Sequence, residues 1–223
     1  MGKDDDDAAR AVAPYTRPFL GIYDLWVIQL SNRFAWRCPA KTMLELYNQH
    51  LGERHLEVGP GSGWYLAKAT MPAAGEVTLV DLNPTPLAYT RRRLESLGHR
   101  VHTVSHNVLE PVPASVGTGF TSVGINFVMH CVPGSFAQKG VAFAHLARVL
   151  ADEGTLFGST ILNRRPGTLF GRTLTFAYGR LGAFNNTRDD QAGLETALQA
   201  AFKQVTITEV GDVTLFTARR PRR

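Results

Sequence analysis

The sequence is poor in cysteine and has no long apolar run. Its 223 residues include two cysteines, Cys38 and Cys131, which are too few for a disulfide framework, and their spacing does not suggest a zinc site. We therefore expect a reducing compartment and no bound metal. No stretch approaches the roughly 20 apolar residues of a membrane-spanning helix. The start is acidic, with Asp4–Asp7 where a signal peptide would be basic and then apolar. These absences predict a cytoplasmic protein without a membrane span.

Charged residues are also sparse. They make up 19% of the chain against 44% hydrophobic residues, which excludes a mainly disordered protein. The net charge of +5 suits nucleic acid, a membrane surface or an acidic small molecule, and equally a surface solvated by arginines. We expect a single domain over 14–218, between a flexible acidic tail at 1–13 and a basic tail at 219–223.

Strand and helix patterns alternate along the chain. Helices are expected over 14–36 and 41–51, before the first strand. The strands and helices that follow are predicted at 55–58, 64–69, 76–80, 84–97, 100–104, 122–127, 137–150, 154–162 and 189–201. The chain closes with a hairpin, 204–210 and 213–218, around Gly211 and Asp212. The order predicts an α/β fold: a Rossmann-like, doubly wound, mostly parallel seven-stranded sheet with an antiparallel C-terminal hairpin strand.

A glycine-rich loop follows the first predicted strand. Gly59, Gly61 and Gly63 alternate with other residues there, and glycines allow sharp turns and close approach of a ligand to the backbone. Such a loop alone also occurs as a simple tight turn. However, Asp81 ends the next strand, where a carboxylate can accept hydrogen bonds from ribose hydroxyls. Together the loop and the acid indicate an adenosine-containing ligand.

The glycine spacing narrows the choice of ligand. In the dinucleotide fingerprint the third glycine stands one residue later, at the position that Trp64 occupies here. The Gly-Lys-Ser/Thr of a phosphate-binding loop is absent as well. The spacing favours a nucleoside ligand without phosphates.

With these segments the sequence resembles the class I S-adenosylmethionine-dependent methyltransferases, and within them the small-molecule, quinone-biosynthesis-like type. The resemblance covers about residues 50–218 and rests on 57–63, 80–84, 126–134 and 147–155. It implies methyl transfer from S-adenosyl-L-methionine to a small, hydrophobic or aromatic acceptor, with S-adenosyl-L-homocysteine as the product.

The resemblance also implies where the cofactor binds. The implied contacts are Glu57, Gly59, Gly61, Ser62, Gly63, Asp81, Leu82, Asn107, Val108, Asn126 and Phe127. Asp81 would hold the ribose hydroxyls and Leu82 would pack on the adenine. Asn107 stands where the family usually has an aspartate that accepts from the adenine amino group, and an amide carbonyl can accept the same bond. Asn126 and Phe127 would lie beside the transferred methyl group.

His130 is the candidate catalytic residue. An activated sulfonium needs mainly alignment with its acceptor, so a base is required only where the acceptor must lose a proton. His130 follows the fourth strand and has a suitable ordinary pKa. The alternative is a histidine that orders its loop or contacts the cofactor.

Two segments are candidates for a cap over the acceptor, the helical region 14–50 and an insertion at 163–188. Four apolar residues fall at helical spacing in the insertion: Phe170, Leu174, Ala177 and Leu181. With the arginines around them they suit a hydrophobic acceptor that bears a carboxylate or phenolate. A helix packed on the sheet edge is the alternative. Tyr15 and Tyr23 could shield the sulfonium or simply be core residues.

Two other functions stay open. A nucleic-acid methyltransferase is compatible with the basic charge, but no RNA-binding module is recognisable, and the fourth strand lacks the Asn/Asp-Pro-Pro-Tyr/Phe signature. A non-catalytic S-adenosylmethionine-binding protein would also keep the glycine loop and Asp81. The acceptor atom and the oligomeric state are not indicated by the sequence.

Overall fold

The computed structural model describes residues 33–73 and 75–223. In chain order the elements are α1 (Ala40–His50), β1 (Arg54–Val58), α2 (Trp64–Lys68), β2 (Glu76–Asp81), α3 (Pro84–Glu95), β3 (Arg100–Ser105), a 3-10 turn (Ala114–Val116), β4 (Phe120–Asn126), α4 (Phe136–Lys139), α5 (Val141–Val149), β5 (Leu150–Thr160), α6 (Leu169–Arg180), α7 (Gln191–Ala201), β6 (Phe202–Val210) and β7 (Val213–Pro221). None of the helices in the described part of the chain is long and apolar enough to cross a membrane.

The strands form one seven-stranded sheet in the order β3-β2-β1-β4-β5-β7-β6. The strands β1 to β5 pair in parallel, and β7 runs antiparallel to both β5 and β6. The predicted fold class is therefore confirmed. Chain order reverses between β1 and β4, and open α/β sheets bind ligands outside the carboxyl ends of strands at such a point.

Each face of the sheet has its own hydrophobic core. The helices α4, α5 and α7 cover one face, with Phe143 and Leu198 fully buried there. The helices α1, α2 and α3 cover the other face, with Met43 and Leu94 fully buried. The strand β4 is buried on both faces, as expected for a central parallel strand.

The C-terminal residues 219–223 correct one expectation. They were predicted as a basic tail, but β7 continues to Pro221, with Arg219 paired to Thr155 of β5. The Arg222 N–H donates to the Ala201 carbonyl (2.8 Å), and the Arg223 guanidinium donates to the Leu150 carbonyl (2.9 Å). Backbone pairing and carbonyl contacts hold these arginines against the sheet despite their charge.

Smaller differences concern helix faces and boundaries. The predicted helix 137–150 is two helices, α4 and α5, which meet at Gly140. In α1 the buried side chains are Met43, Leu46 and Tyr47. Of the helix predicted over 14–36, residues 14–32 lie outside the described residues.

Candidate functional site

A cavity opens at the carboxyl ends of β1, β2 and β4. Most of the residues predicted to bind the cofactor line it: Gly59, Gly61, Asp81, Leu82, Asn107, Val108, Asn126 and Phe127. The other lining residues are Val58, Asn83, Pro86, His106, Leu109, Val128, Cys131, Val132 and Pro133. The predicted contacts Glu57, Ser62 and Gly63, and the predicted base His130, lie outside this lining. The fold thus gathers the motif residues at the reversal point between β1 and β4.

The glycine loop depends on backbone angles that other residues rarely adopt. Gly59, Gly61 and Gly63 have φ values of 66°, 55° and 68°. A β-carbon at Gly59 would overlap the Val128 side chain, and one at Gly63 would overlap Thr90. These positions therefore need glycine, and the loop exposes bare backbone to the cavity.

Helix α3 fixes this loop from behind. The Thr90 hydroxyl donates to the Gly61 carbonyl (2.9 Å), and the Arg93 guanidinium donates to the Ser62 carbonyl (2.8 Å). Ser62 itself is buried. Ser62 and Gly63 therefore belong to the supporting side of the loop in this structure, and their predicted cofactor contacts stay predictions.

Asp81 ends β2 at the rim of the cavity. Its Oδ1 accepts a hydrogen bond from the Asn83 backbone N–H (2.8 Å). Burial raises the pKa of the Asp81 carboxyl to about 6, although hydrogen bonds from the Asn83 and Leu82 backbone lower it in part. A carboxylate with this desolvation penalty gains from further hydrogen-bond donors, and ribose hydroxyls are such donors.

Leu82 and Asn107 line the same cavity. The Leu82 side chain is 39% exposed, which leaves an apolar surface that a planar ring could cover. Asn107 Oδ1 accepts from the Leu109 backbone N–H (3.1 Å). A carbonyl oxygen has two lone pairs, so this bond is compatible with the predicted second bond to adenine.

Phe127 follows β4 in a strained conformation. Its φ is 57°, in the left-handed region, which costs roughly 1–2 kcal/mol for a residue with a β-carbon. The Phe127 N–H donates to the Ser159 carbonyl of β5 (2.9 Å), which holds the strained turn. Strain of this kind concentrates at functional sites, and here it turns the chain from β4 into the cavity wall.

His130 lies next to Phe127 but outside the lining of the cavity. It is 4% exposed, and its Nδ1 accepts from the Ile161 backbone N–H (3.4 Å). Burial, with a smaller contribution from the charge of Lys139, lowers the pKa of the imidazole to about 3. His130 is therefore neutral at physiological pH, and its role as a general base stays a prediction.

The insertion at 163–188 meets His130 through aromatic rings. Phe184 packs against His130 (ring centroids 4.6 Å apart), Trp36 (5.7 Å) and Tyr178 of α6 (5.2 Å). We call these four residues the Phe184 cluster. It joins the segment before α1, the loop after β4 and the insertion.

The structure has a helix, α6, where the four apolar residues of the insertion fall at helical spacing, and only part of their face is buried. Of Phe170, Leu174, Ala177 and Leu181, only Leu174 is buried. The exposed apolar side chains of the helix and its end are Leu169, Phe170, Phe176 and Leu181. Thr168 caps the helix and also donates to the Ala35 carbonyl, which ties the start of α6 to the segment before α1. The predicted cap function stays a prediction.

Two of the residues predicted to bind the cofactor remain to be placed. Tyr15 and Tyr23 lie outside the described residues. Within 33–73 and 75–223, no group of three or more His, Cys, Asp or Glu side chains is placed to hold a metal ion.

Sequence reasoning missed the buried polar partners of Glu57. Glu57 Oε1 accepts from the Tyr47 hydroxyl (2.6 Å), and Oε2 lies 2.8 Å from His55 Nε2. Tyr47 resembles an ordinary core position of α1, and His55 follows two charged residues, Glu53 and Arg54, at the start of β1. Only the alternation of polar residues in β1, His55 and then Glu57, signals that one face of this strand is polar.

Comparison with known proteins gives consistent matches. A family described as "Methyltransferase domain" matches residues 56–154. The chain is 38% identical over 216 residues to a demethylluteothin O-methyltransferase of Streptomyces thioluteus, covering 96% of this chain and 93% of that protein. It is 36% identical over 215 residues to a physcion biosynthesis cluster O-methyltransferase of Aspergillus chevalieri, covering 96% of each.

Solved structures share the fold. The N-methyltransferase NodS of Bradyrhizobium japonicum, in complex with S-adenosyl-L-homocysteine, aligns with a TM-score of 0.62 at 15% identity and covers 98% of each chain. At this identity the likeness concerns the fold alone.

Proposed function

Because this chain belongs to the S-adenosylmethionine-dependent methyltransferases, we propose that it methylates an oxygen atom of a small, hydrophobic or aromatic acceptor. The predicted enzyme class, cofactor and small-molecule type are confirmed by its relatives. The choice of oxygen as the methylated atom goes beyond those predictions.

The proposal rests on how much of the chain is covered by the alignments with its relatives. Both named relatives are O-methyltransferases, and each alignment covers 96% of this chain, well beyond the methyltransferase domain at 56–154. The matched length therefore includes the insertion at 163–188 as well as the cofactor cavity. Similarity over the acceptor side of an enzyme bears on its substrate more directly than similarity of the fold.

The residues of the cavity suit alignment of a bound cofactor. Asp81 would accept the ribose hydroxyls, Leu82 would cover the adenine, and the glycine loop would let the methionine portion approach the backbone. When bound, S-adenosyl-L-methionine supplies an electrophilic methyl group on its sulfonium. The turn at Phe127 would border the place where acceptor and methyl meet.

The Phe184 cluster supports an apolar acceptor. Its rings lie next to the loop after β4, and Trp36 and His130 within it are buried. None of the four residues lines the cofactor cavity, so the cluster would form the apolar side of a neighbouring acceptor space, which excludes water and favours an aromatic or hydrophobic ring. We therefore propose a small molecule rather than a nucleic acid as the acceptor.

His130 is the proposed proton acceptor for a hydroxyl substrate. Because Nδ1 accepts from Ile161, the neutral ring carries its proton on Nε2 in this arrangement. His130 would have to release the Ile161 N–H before that nitrogen could take a proton. An acceptor whose hydroxyl ionises readily would avoid this cost.

The proposal is tested with S-adenosyl-L-methionine that carries a ¹³C-labelled methyl group. Acceptors are offered in matched sets, in which one aromatic scaffold bears a hydroxyl, an amine or a thiol at the same position. We expect label on the hydroxyl member, identified as a methoxy carbon by NMR. Transfer to the amine or thiol members alone would contradict the proposal, and Asp81→Ala serves as the control for cofactor-dependent transfer.

A further inference from the structure

A chain of buried hydrogen bonds runs across β1 and β4 beneath α1. We call the side chains of Ser122, His55, Glu57, Tyr47 and Asn126 the buried relay; all five are buried. Ser122 Oγ lies 2.8 Å from His55 Nδ1, and His55 Nε2 lies 2.8 Å from Glu57 Oε2. Glu57 Oε1 lies 2.6 Å from the Tyr47 hydroxyl, which lies 3.2 Å from Asn126 Nδ2. The relay ends at Asn126, which lines the cavity.

The first half of the relay links Ser122 and His55 to Glu57. The Ser122 hydroxyl oxygen accepts from the Gly52 backbone N–H (2.9 Å), so its own proton is available for His55 Nδ1. When the Ser122 hydroxyl donates to Nδ1, the His55 ring carries its proton on Nε2 and donates it to Glu57 Oε2.

The second half runs the opposite way, toward the same carboxylate. Burial, followed by the charge of Glu57, raises the pKa of the Tyr47 phenol well above its ordinary value, so Tyr47 keeps its proton and donates it to Glu57. The Tyr47 oxygen is then left as an acceptor. It requires a donor from Asn126, which must be the Nδ2 amide group.

This direction decides which way the Asn126 amide faces. With Nδ2 on Tyr47, Oδ1 is the free end of the side chain. Oδ1 is buried, and no donor within residues 33–73 and 75–223 reaches it. A buried carbonyl without a partner is costly, and the relay places the Glu57 charge two hydrogen bonds behind it. That charge favours a positively charged N–H donor over a neutral one.

We infer that Tyr47 is a positioning residue, which holds Asn126 Oδ1 toward the cavity to accept a hydrogen bond from the ammonium group of the cofactor. The ammonium belongs to the methionine portion of S-adenosyl-L-methionine and of S-adenosyl-L-homocysteine. The inference rests on cofactor binding in this cavity and is independent of the acceptor. Without the Tyr47 hydroxyl, the amide is free to rotate and present Nδ2 instead.

The test compares two ligands by calorimetry. S-adenosyl-L-homocysteine carries the ammonium, whereas 5′-methylthioadenosine keeps the nucleoside and sulfur but lacks the amino-acid portion. Tyr47→Phe should weaken binding of S-adenosyl-L-homocysteine about tenfold, the loss expected for one charge-assisted hydrogen bond. Its affinity for 5′-methylthioadenosine should stay the same.

Two further variants separate positioning from a structural role. Tyr65→Phe removes a hydroxyl from the tyrosine stacked on Tyr47 (ring centroids 5.6 Å apart) and should leave the ratio of the two affinities unchanged. Asn126→Ala alone should already lower the ratio of S-adenosyl-L-homocysteine affinity to 5′-methylthioadenosine affinity. Adding Tyr47→Phe to Asn126→Ala should lower this ratio no further.

Equal losses for both ligands in Tyr47→Phe, or an additive loss in the double variant, would overturn the inference. If Tyr47→Phe does not fold, Asn126→Ala alone must still lower this affinity ratio. An unchanged ratio in Asn126→Ala would also overturn the inference. Failure of the parent protein to bind either ligand would instead contradict the cofactor cavity itself.

Discussion

At the residue scale, the glycine loop offers a test of cavity contact against backbone strain. Gly61 and Gly98 both have positive φ values, 55° and 85°, but only Gly61 lines the cavity. Gly61→Ala and Gly98→Ala should each cost roughly 1–2 kcal/mol of unfolding free energy, because a β-carbon is strained in this region. Only Gly61→Ala should also weaken S-adenosyl-L-homocysteine binding in calorimetry. Equal binding by the two variants would mean that the loop is merely a turn.

Asp81 should make cofactor affinity depend on pH. Its pKa is raised to about 6 by burial, and only the ionised carboxylate accepts both ribose hydroxyls. Below pH 6 a proton must leave before binding, so affinity should rise with pH by up to about tenfold per unit and level off above 6. Calorimetry from pH 5 to 8 measures this rise in affinity. The affinity of Asp81→Asn should not rise with pH in this range. The same rise in that variant would mean that another group titrates.

His130 should not produce the rise in reaction rate with pH that an ordinary histidine base gives. Because burial lowers its pKa to about 3, turnover should not change near pH 6.5. A rise in rate that follows the hydroxyl pKa of the acceptor, measured with two acceptors of different acidity, would mean that the acceptor ionises without help from His130. His130→Ala should reduce turnover by ~10²–10⁴ if it takes the proton. Unchanged turnover with intact cofactor binding would assign His130 to the Phe184 cluster alone.

At the scale of elements, a buried ion pair ties the loop after β4 to the segment before α7. Lys139 Nζ donates to Asp189 Oδ2 (2.7 Å) and to the carbonyls of Met129 (2.7 Å) and Val132 (3.0 Å). Both charged side chains are fully buried. Burial lowers the pKa of Lys139 and raises that of Asp189 to about 6.

Removing one partner of this pair should be costly. Lys139→Met leaves the buried Asp189 carboxylate without its donor and removes one donor from each of two carbonyls, so we expect a loss of about 3–5 kcal/mol in unfolding free energy. Lys41 forms an exposed pair with Glu45 on α1 (3.8 Å), so Lys41→Met is the matched control and should barely change the urea midpoint. Similar midpoints for the two variants would show that the pair does not hold the loop.

At the scale of the whole molecule, the sequence predicts the order of the elements and the location of the cavity. Alternating patterns and the Gly211 hairpin indicate the sheet, and the glycine loop with Asp81 marks the carboxyl ends of β1 and β2. Such signals are local, because a turn or a strand end needs particular residues at that position.

Tertiary contacts lie beyond these local signals. The Thr168 hydroxyl ties the start of α6 to the Ala35 carbonyl, a contact that helical spacing does not indicate. The buried relay joins Tyr47 to Asn126 across distant parts of the chain. The strand end at 219–221 depends on pairing with β5, which outweighs the charge pattern that predicts a tail. Each of these features results from a partner far away in sequence.

The most direct test of the account is the affinity of Asp81→Ala for S-adenosyl-L-homocysteine. The cavity at the carboxyl ends of β1, β2 and β4 binds the cofactor only if this carboxylate receives the ribose hydroxyls. Two hydrogen bonds to a charged group should then be lost, and calorimetry at pH 7.5 should show binding at least roughly tenfold weaker than that of the parent protein. Unchanged affinity in a folded Asp81→Ala variant would contradict the placement of the cofactor in this cavity.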